Sequence, residues 1–324
     1  MHLLYNNVYG GFSLEGFHGN NVPPYAILSH TWGPDSDEVG FEEVEHYKNV
    51  PSVPAKPGYI KLQFCAQRVA QDRLQYFWVD TACINKKSDR ELSEAINSMY
   101  RWYQCAARCY VYLSDVVASG GWEGFCQSRW FTRGWTLQEL LAPRRVDFYD
   151  TNGIHLGDKD TLAEQISYAT KIPHGALTSQ PLHNFSVEER LIWAQHRRTK
   201  REEDGAYSLL GIFDVSMPLV YGEGKEKAYY RLLHEIESSN HRQTYRKYSQ
   251  YLPSEDLPDV EKALGTELAP TIRMVDSTLS RSDARGKPME QYWDADRKEW
   301  IQMHWSSEYG RHYRKRYVRG THGM

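Results

Sequence analysis

The feature that most constrains the fold of this chain is a rhythm between residues 25 and 149. Short apolar runs bounded by polar loops alternate there with stretches whose apolar residues recur every three or four positions. Tyr25–His30 (YAILSH) lies between Pro23-Pro24 and Thr31-Trp32-Gly33-Pro34, and its length and punctuation predict a buried strand. After a charged, proline-bearing stretch to about Pro57, the positions Leu62, Ala66 and Val69 place a helix from Tyr59. Tyr76–Ile84 (YFWVDTACI) reads as a second strand running into a polar turn. Ser88 and Glu91 then form an S-x-x-E capping box that opens a helix with Leu92, Ile96, Met99 and Tyr103 on one face. Arg108–Leu113 is a third strand, followed by the loop Ser119-Gly120-Gly121. Trp130–Leu141 reads as one helix stopped by Pro143, and Val146–Tyr149 as a fourth strand. Alternation of this kind predicts an α/β domain with a mostly parallel sheet and helices on both faces. Ligands in such folds gather at the strands' carboxyl ends, here the loops His30–Gly33, Asn85–Ser88, Ser114–Gly124 and Asp150–Gly153.

Beyond residue 157 the pattern becomes helical. Leu162–Tyr168 is a helix, and a second capping box at Ser186 and Glu189 opens another reaching about Thr199. Ala206–Phe213 is buried. Gly224–Ser238 is amphipathic, with Ala228, Leu232 and Ile236 on one face. From Ser239 the periodicity weakens, and Tyr292–Met303 reads as a hairpin turning near Asp294–Arg297. The expected organisation is a lead-in over 1–21, the α/β domain over 22–157, a helical extension packed on it over 158–238, and a C-terminal region of undefined fold over 239–324.

Composition removes several classes of function. A net charge of −3 argues against a nucleic-acid binder. The N-terminus lacks a basic-then-apolar leader, and no apolar run approaches the length of a membrane span, so a cytoplasmic protein is expected. The five cysteines, Cys65, Cys83, Cys105, Cys109 and Cys126, are odd in number and sit in apolar segments, which fits reduced core thiols. Cys105 and Cys109 fit one helix face, with no further ligand to complete a zinc set. Gly222-Glu223-Gly224-Lys225 fails as a phosphate loop, because Leu219 stands at the earlier glycine position and Glu226 replaces the Ser/Thr. Asp294-Ala295-Asp296 fails as a calcium loop at Lys298. The basic cluster Arg311, Arg314, Lys315, Arg316 and Arg319 reads as a solvated tail.

Three blocks, YAILSHTWG at Tyr25–Gly33, FWVDTACINK at Phe77–Lys86 and SRWFTRGWTLQELLAP at Ser128–Pro143, resemble the fungal heterokaryon incompatibility (HET) domain. The segment Phe185–Ile236 resembles the extension that often follows that domain, so the resemblance covers about residues 22–236. A more distant likeness is to Toll/interleukin-receptor (TIR) domains, which implies a flavodoxin-like sheet. YAILSHTWG is similar to the first-strand box of those domains, CYVYLSDV to their third strand, and SRWFTRGWTLQEL to their helix bearing a Trp and then Glu-Leu. Thr136 departs from that pattern, in which a Cys often follows the Trp, and the loop before the helix is longer.

The likeness implies a role in fungal non-self recognition, innate immunity and programmed cell death. In TIR domains that cleave NAD, the helix carboxylate is catalytic; by position it is Glu139 here. NAD would then be a substrate, with no resident cofactor and no metal. Ser29, His30, Trp32 and Asp80 fall at strand ends where such a ligand would sit, Arg133 suits its pyrophosphate, and Trp135, four residues before Glu139, suits stacking on nicotinamide or ribose. Each residue also has a structural reading. Glu139 would be solvated or paired with Arg144 or Arg145, Trp130 and Trp135 would be core, and Asp80 and His30 would hold loops. The alternative activity is a non-enzymatic cell-death signal sent by self-assembly, with homo-oligomerisation on activation and a receptor-type protein partner.

Overall fold

The computed structural model describes residues 1–19, 21–47, 56–178 and 180–249, together with four strands between 281 and 318; side chains are described up to residue 239. The chain divides into two compact units, Met1–Arg242 and Gln243–Met324.

The first unit is built on a seven-stranded sheet. Its strands are β1 (His2–Asn6), β2 (Phe12–Gly16), β3 (Tyr25–His30), β4 (Tyr76–Trp78), β5 (Arg108–Tyr112), β6 (Val146–Tyr149) and β7 (His155–Asp158). Their order is β2-β1-β4-β3-β5-β6-β7. The four middle strands pair in parallel, as the alternation predicts. The sheet as a whole is mixed rather than mostly parallel, because both flanks are antiparallel. Two tight connections cause this. The Asn7 side chain accepts the N–H groups of Tyr9 and Gly11, folding residues 2–16 into a hairpin that joins β4. On the other side, Asp150 accepts the N–H groups of Asn152 and Ile154, and Gly153 takes φ +75°, so the chain turns straight back along β6.

Strand alternation assigns the helices to faces. On β5, Tyr112 packs on Phe64 and Tyr110 donates to Asp72, so that face carries the helix Tyr59–Gln71 and its C-terminal end. The helices in chain order begin with α1 (Phe41–Tyr47), α2 (Tyr59–Gln71), α3 (Asp80–Cys83), α4 (Asp89–Cys105), α5 (Gly121–Cys126) and α6 (Thr136–Leu141). On the opposite face, the Cys109 thiol meets the Glu139 carbonyl and Phe148 packs against Phe125, Trp130 and Phe131. That face is covered by α4, α5 and α6. Further helices follow: α7 (Ala163–Thr170), α8 (His174–Thr178), α9 (Val187–Ile192), α10 (Asp204–Tyr207), α11 (Leu210–Phe213) and α12 (Lys225–Ser249). Ala228, Leu232 and Ile236 are buried as their spacing predicts.

Several elements are shorter than the sequence suggests. The second strand ends at Trp78, and the short α3 follows in place of an extended run. The expected helix over 130–141 is broken: a 3-10 turn spans Arg129–Thr132, Arg133 is extended (φ −80°, ψ 140°), and α6 begins only at Thr136. The cause is a strand-like pairing with the extension, in which Arg198 N–H donates to the Thr132 carbonyl and Gly134 N–H to the Arg198 carbonyl. The capping box of Ser186 and Glu189 forms, but its helix stops at Ile192 rather than near Thr199. Cys109 lies on β5 and Cys105 at the end of α4, so the two share no helix face. All five cysteines are free, with Cys65, Cys83 and Cys109 buried.

The second unit contains β8 (Arg281–Ser282), β9 (Pro288–Asp294), β10 (Glu299–Ser306) and β11 (Arg311–Val318), an antiparallel sheet in the order β11-β10-β9-β8. β9 and β10 form the expected hairpin; its turn, 295–298, lies outside the described residues. The basic cluster falls on the backbone of β11, except Arg319, which lies outside them.

Candidate functional site

The register of β3 fixes the floor of the site. Ser29 pairs with Val111 of β5, so its side chain leaves the sheet on the face that carries α6. There it is fully buried, donates to a Glu139 carboxyl oxygen and accepts the Trp130 indole N–H at 2.8 Å. Every residue of α6 is buried, including Gln138 and Glu139, so this six-residue helix has no solvent face. Glu139 is only 6% exposed. It also hydrogen-bonds Tyr103, whose hydroxyl reaches the Leu28 carbonyl at 3.1 Å.

Burial, reinforced by the nearby Asp80 carboxylate, drives the Glu139 carboxyl upward; Ser29, Tyr103 and Arg133 pull the other way, and the net position is about 8. Ser29 donates to one carboxyl oxygen, and the Tyr103 hydroxyl that meets the carboxyl group also reaches the Leu28 carbonyl.

Glu139 lies at one boundary of a cleft of about 800 Å³. His30, Trp32, Asp80, Arg133 and Trp135 line the same cleft, while Ser29 supports Glu139 from beneath. Two of the four strand-end loops expected to hold ligand contribute to it, His30–Gly33 and Asn85–Ser88. The loops Ser114–Gly124 and Asp150–Gly153 do not. Asp150 is spent on the N–H groups of Ala118, Asn152 and Ile154, and Asp115 on Ser128 and Arg129. Glu139 does not pair with Arg144 or Arg145. Trp130 is core, fully enclosed among Phe131 and Phe148, whereas Trp135 is half-buried at the cleft.

Both cleft indoles are held by carboxylates. Trp32 Nε1 donates to Asp80 at 2.8 Å, and Trp135 hydrogen-bonds Asp204. His30 sits between two acids, 3.9 Å from Asp80 and 3.6 Å from Glu38, and its Nε2 has no hydrogen-bond partner. Burial works against the charge on Glu38, but His30, Lys61 and the Gly33 N–H outweigh it and hold the carboxyl down at about 2. Among the described residues, no group of three or more His, Cys, Asp and Glu side chains could hold a metal ion.

The sequence reading missed the second wall. Lys200, Arg201, Asp204 and Tyr221 all line the cleft and all come from the helical extension. Arg197 Nη1 donates to the Arg133 carbonyl and to Thr136 Oγ1, both at 2.9 Å, which ties the start of α6 to the extension. Burial disfavours the charge on Arg197, and Glu139 favours it. The run H-R-R-T-K-R at residues 196–201 was the available signal, but a basic run ordinarily marks a solvated surface.

No helix among the described residues is long and apolar enough to cross a membrane. The sequence model of the family "Heterokaryon incompatibility protein (HET)" matches residues 25–124. That stretch holds Ser29, His30, Trp32 and Asp80; Arg133, Trp135 and Glu139 follow it. The chain is 52% identical over 223 residues to the vegetative incompatibility protein HET-E-1 of Podospora anserina, an alignment covering 66% of this chain and 16% of that protein. The chain therefore spans less than a fifth of the length of that relative. No solved structure matches. With these three blocks in order, the family match and this relative, residues 25–124 carry a heterokaryon incompatibility (HET) domain.

Proposed function

We propose that the chain acts in fungal heterokaryon incompatibility, inside the cell, by cleaving NAD at this cleft in the manner of a TIR-like glycohydrolase. One observation carries the reading: a carboxyl group buried at the cleft boundary, held by Ser29 and Tyr103, with its proton affinity raised to about 8. In the reaction, the bond between ribose C1′ and the nicotinamide nitrogen breaks, and its electron pair neutralises the ring. Water adds at C1′ and releases one proton. The leaving group is already cationic and needs no acid, so a single carboxylate suffices to stabilise the oxocarbenium-like centre. A cationic ligand entering the cleft favours loss of the Glu139 proton, so the charge appears when it is needed. Arg133, Lys200 and Arg201 supply positive charge for the pyrophosphate.

The test is incubation of the purified full chain with NAD, with and without oligomerisation, reading released nicotinamide. Glu139→Ala should lower turnover at least about a hundredfold while circular dichroism stays unchanged. Absence of turnover in folded, oligomerised protein would refute the proposal. Cell death that persists with Glu139→Ala would support signalling by self-assembly, with homo-oligomer formation and a receptor-type partner as its means.

A further inference from the structure

The Asn85–Ser88 loop places the Lys86 ammonium over the face of Trp32, 3.9 Å from the ring centroid. Lys86 is exposed and makes no salt bridge among the described residues, unlike Lys56, Lys87 and Lys200 of the same cleft, which pair with Glu43, Glu42 and Asp35. The Trp32 ring is half-buried and fixed, because its N–H is committed to Asp80. A carboxylate accepting the indole N–H adds electron density to the ring and strengthens its pull on a cation. The other Asp80 oxygen is buried without a hydrogen-bond partner. The structure therefore contains an indole anchored by its N–H, an acid behind it with one buried oxygen free of hydrogen bonds, and an exposed lysine whose ammonium lies over the ring.

We infer that the Trp32 face is a subsite for an aromatic organic cation, such as an N-alkylated pyridinium ring, and that Lys86 is an internal competitor that occupies it when the site is empty. The inference rests on the proposed reading only for the identity of the natural ligand; the subsite stands on the Trp32–Asp80–Lys86 geometry. Entry of a pyridinium ring displaces one exposed lysine, which costs little, and replaces a hydrated ammonium with a planar cation that stacks over the whole indole. A neutral pyridine ring of the same shape gains only the stacking. The subsite therefore discriminates by charge.

The test measures binding of two probes to the full chain by calorimetry: 1-methylnicotinamide, a cation, and nicotinamide, its neutral counterpart. Wild type should prefer the cation. Lys86→Met should tighten cation binding about three- to tenfold and nicotinamide binding by less, because both rings displace the lysine but only the cation is also repelled by it. Trp32→Leu should abolish the preference. If that variant fails to fold by circular dichroism, Trp32→Phe, which keeps a weaker ring, should give an intermediate preference. Unchanged or weakened cation binding in Lys86→Met, or a full preference in the folded Trp32 variant, overturns the inference. Turnover of NAD that depends on Glu139 alongside an inert Lys86→Met change would leave the catalytic proposal standing and remove this one, whereas charge-selective binding without turnover would do the reverse.

Discussion

Replacing Glu139 with Gln is expected to stabilise the protein, and the size of the gain should depend on pH. In the folded state the carboxyl keeps its proton up to about 8, against 4.5 for an ordinary glutamate, chiefly because it is buried and faces Asp80. The unfolded chain releases that proton above about pH 4.5. Between the two values the folded state binds more protons, so stability falls as pH rises. At about 1.4 kcal/mol per pH unit, the handicap is near zero at pH 4.5, ~3 kcal/mol at pH 7, and levels off at ~5 kcal/mol above pH 8. Gln is a permanent copy of the protonated form. Its carbonyl accepts from Ser29 as the carboxyl does, and it carries no charge to bury. Urea unfolding of wild type and Glu139→Gln at pH 5, 7 and 8.5, followed by tryptophan fluorescence, should show the variant gaining from less than ~1 to ~5 kcal/mol across the series. At pH 7 this corresponds to a melting point higher by about 6–12 °C. A gain that is the same at every pH, or a loss at pH 8.5, would refute the account of Glu139 as a neutral, buried acid. A stabilising change that also abolishes NAD cleavage would show why the residue is there, since groups that weaken the fold are retained where they act.

Glu38 should behave with the opposite sign. Its carboxyl is held down at about 2 by His30, Lys61 and Gly33, so its contribution, up to ~3 kcal/mol at neutral pH, is lost as pH falls from about 4.5 to 2; Glu38→Gln should be less stable than wild type at pH 7 and equal to it near pH 2 in the same assay. Gly211→Ala should cost about 1–3 kcal/mol, read as a lower melting temperature, because an added Cβ would stand 2.0 Å from the Tyr100 Cβ where α11 crosses α4; an unchanged melting point would mean that this contact is looser than described.

The parallel centre of the sheet was legible because each middle strand is a short apolar run with a loop after it, and burial on both faces leaves little room for polar residues. The antiparallel flanks were not. β1 carries only Leu3 and Leu4 as fully buried residues, and β7 none, so neither shows the apolar run that marks a central strand. Their signals lay in the turns, Asn7–Gly11 and Asp150–Gly153, where a side-chain oxygen gathers successive N–H groups. The break in the expected 130–141 helix could not be read locally at all. It depends on Arg198, more than sixty residues away, drawing Thr132 and Gly134 into a strand-like pairing.

That same long-range pairing explains what was hidden at the site. Ser29, His30, Trp32 and Asp80 stand at the ends of strands, where topology alone gathers side chains, and they were accessible to sequence reasoning for that reason. Glu139 could be singled out by resemblance but not by burial, since Gln138 and Glu139 in a short helix resemble a solvated face. They are enclosed where β3 and α4 pack on α6, with Ser29 and Tyr103 on the carboxyl, while the extension ties the segment leading into α6 through Arg197 and Arg198. The extension also supplies the wall of Lys200, Arg201, Asp204 and Tyr221 that completes the cleft. Residues 25–124 alone contain neither Glu139 nor that wall. The cleft is therefore a property of the whole first unit, and any chemistry performed there depends on the seam between Arg133 and Arg198 remaining closed.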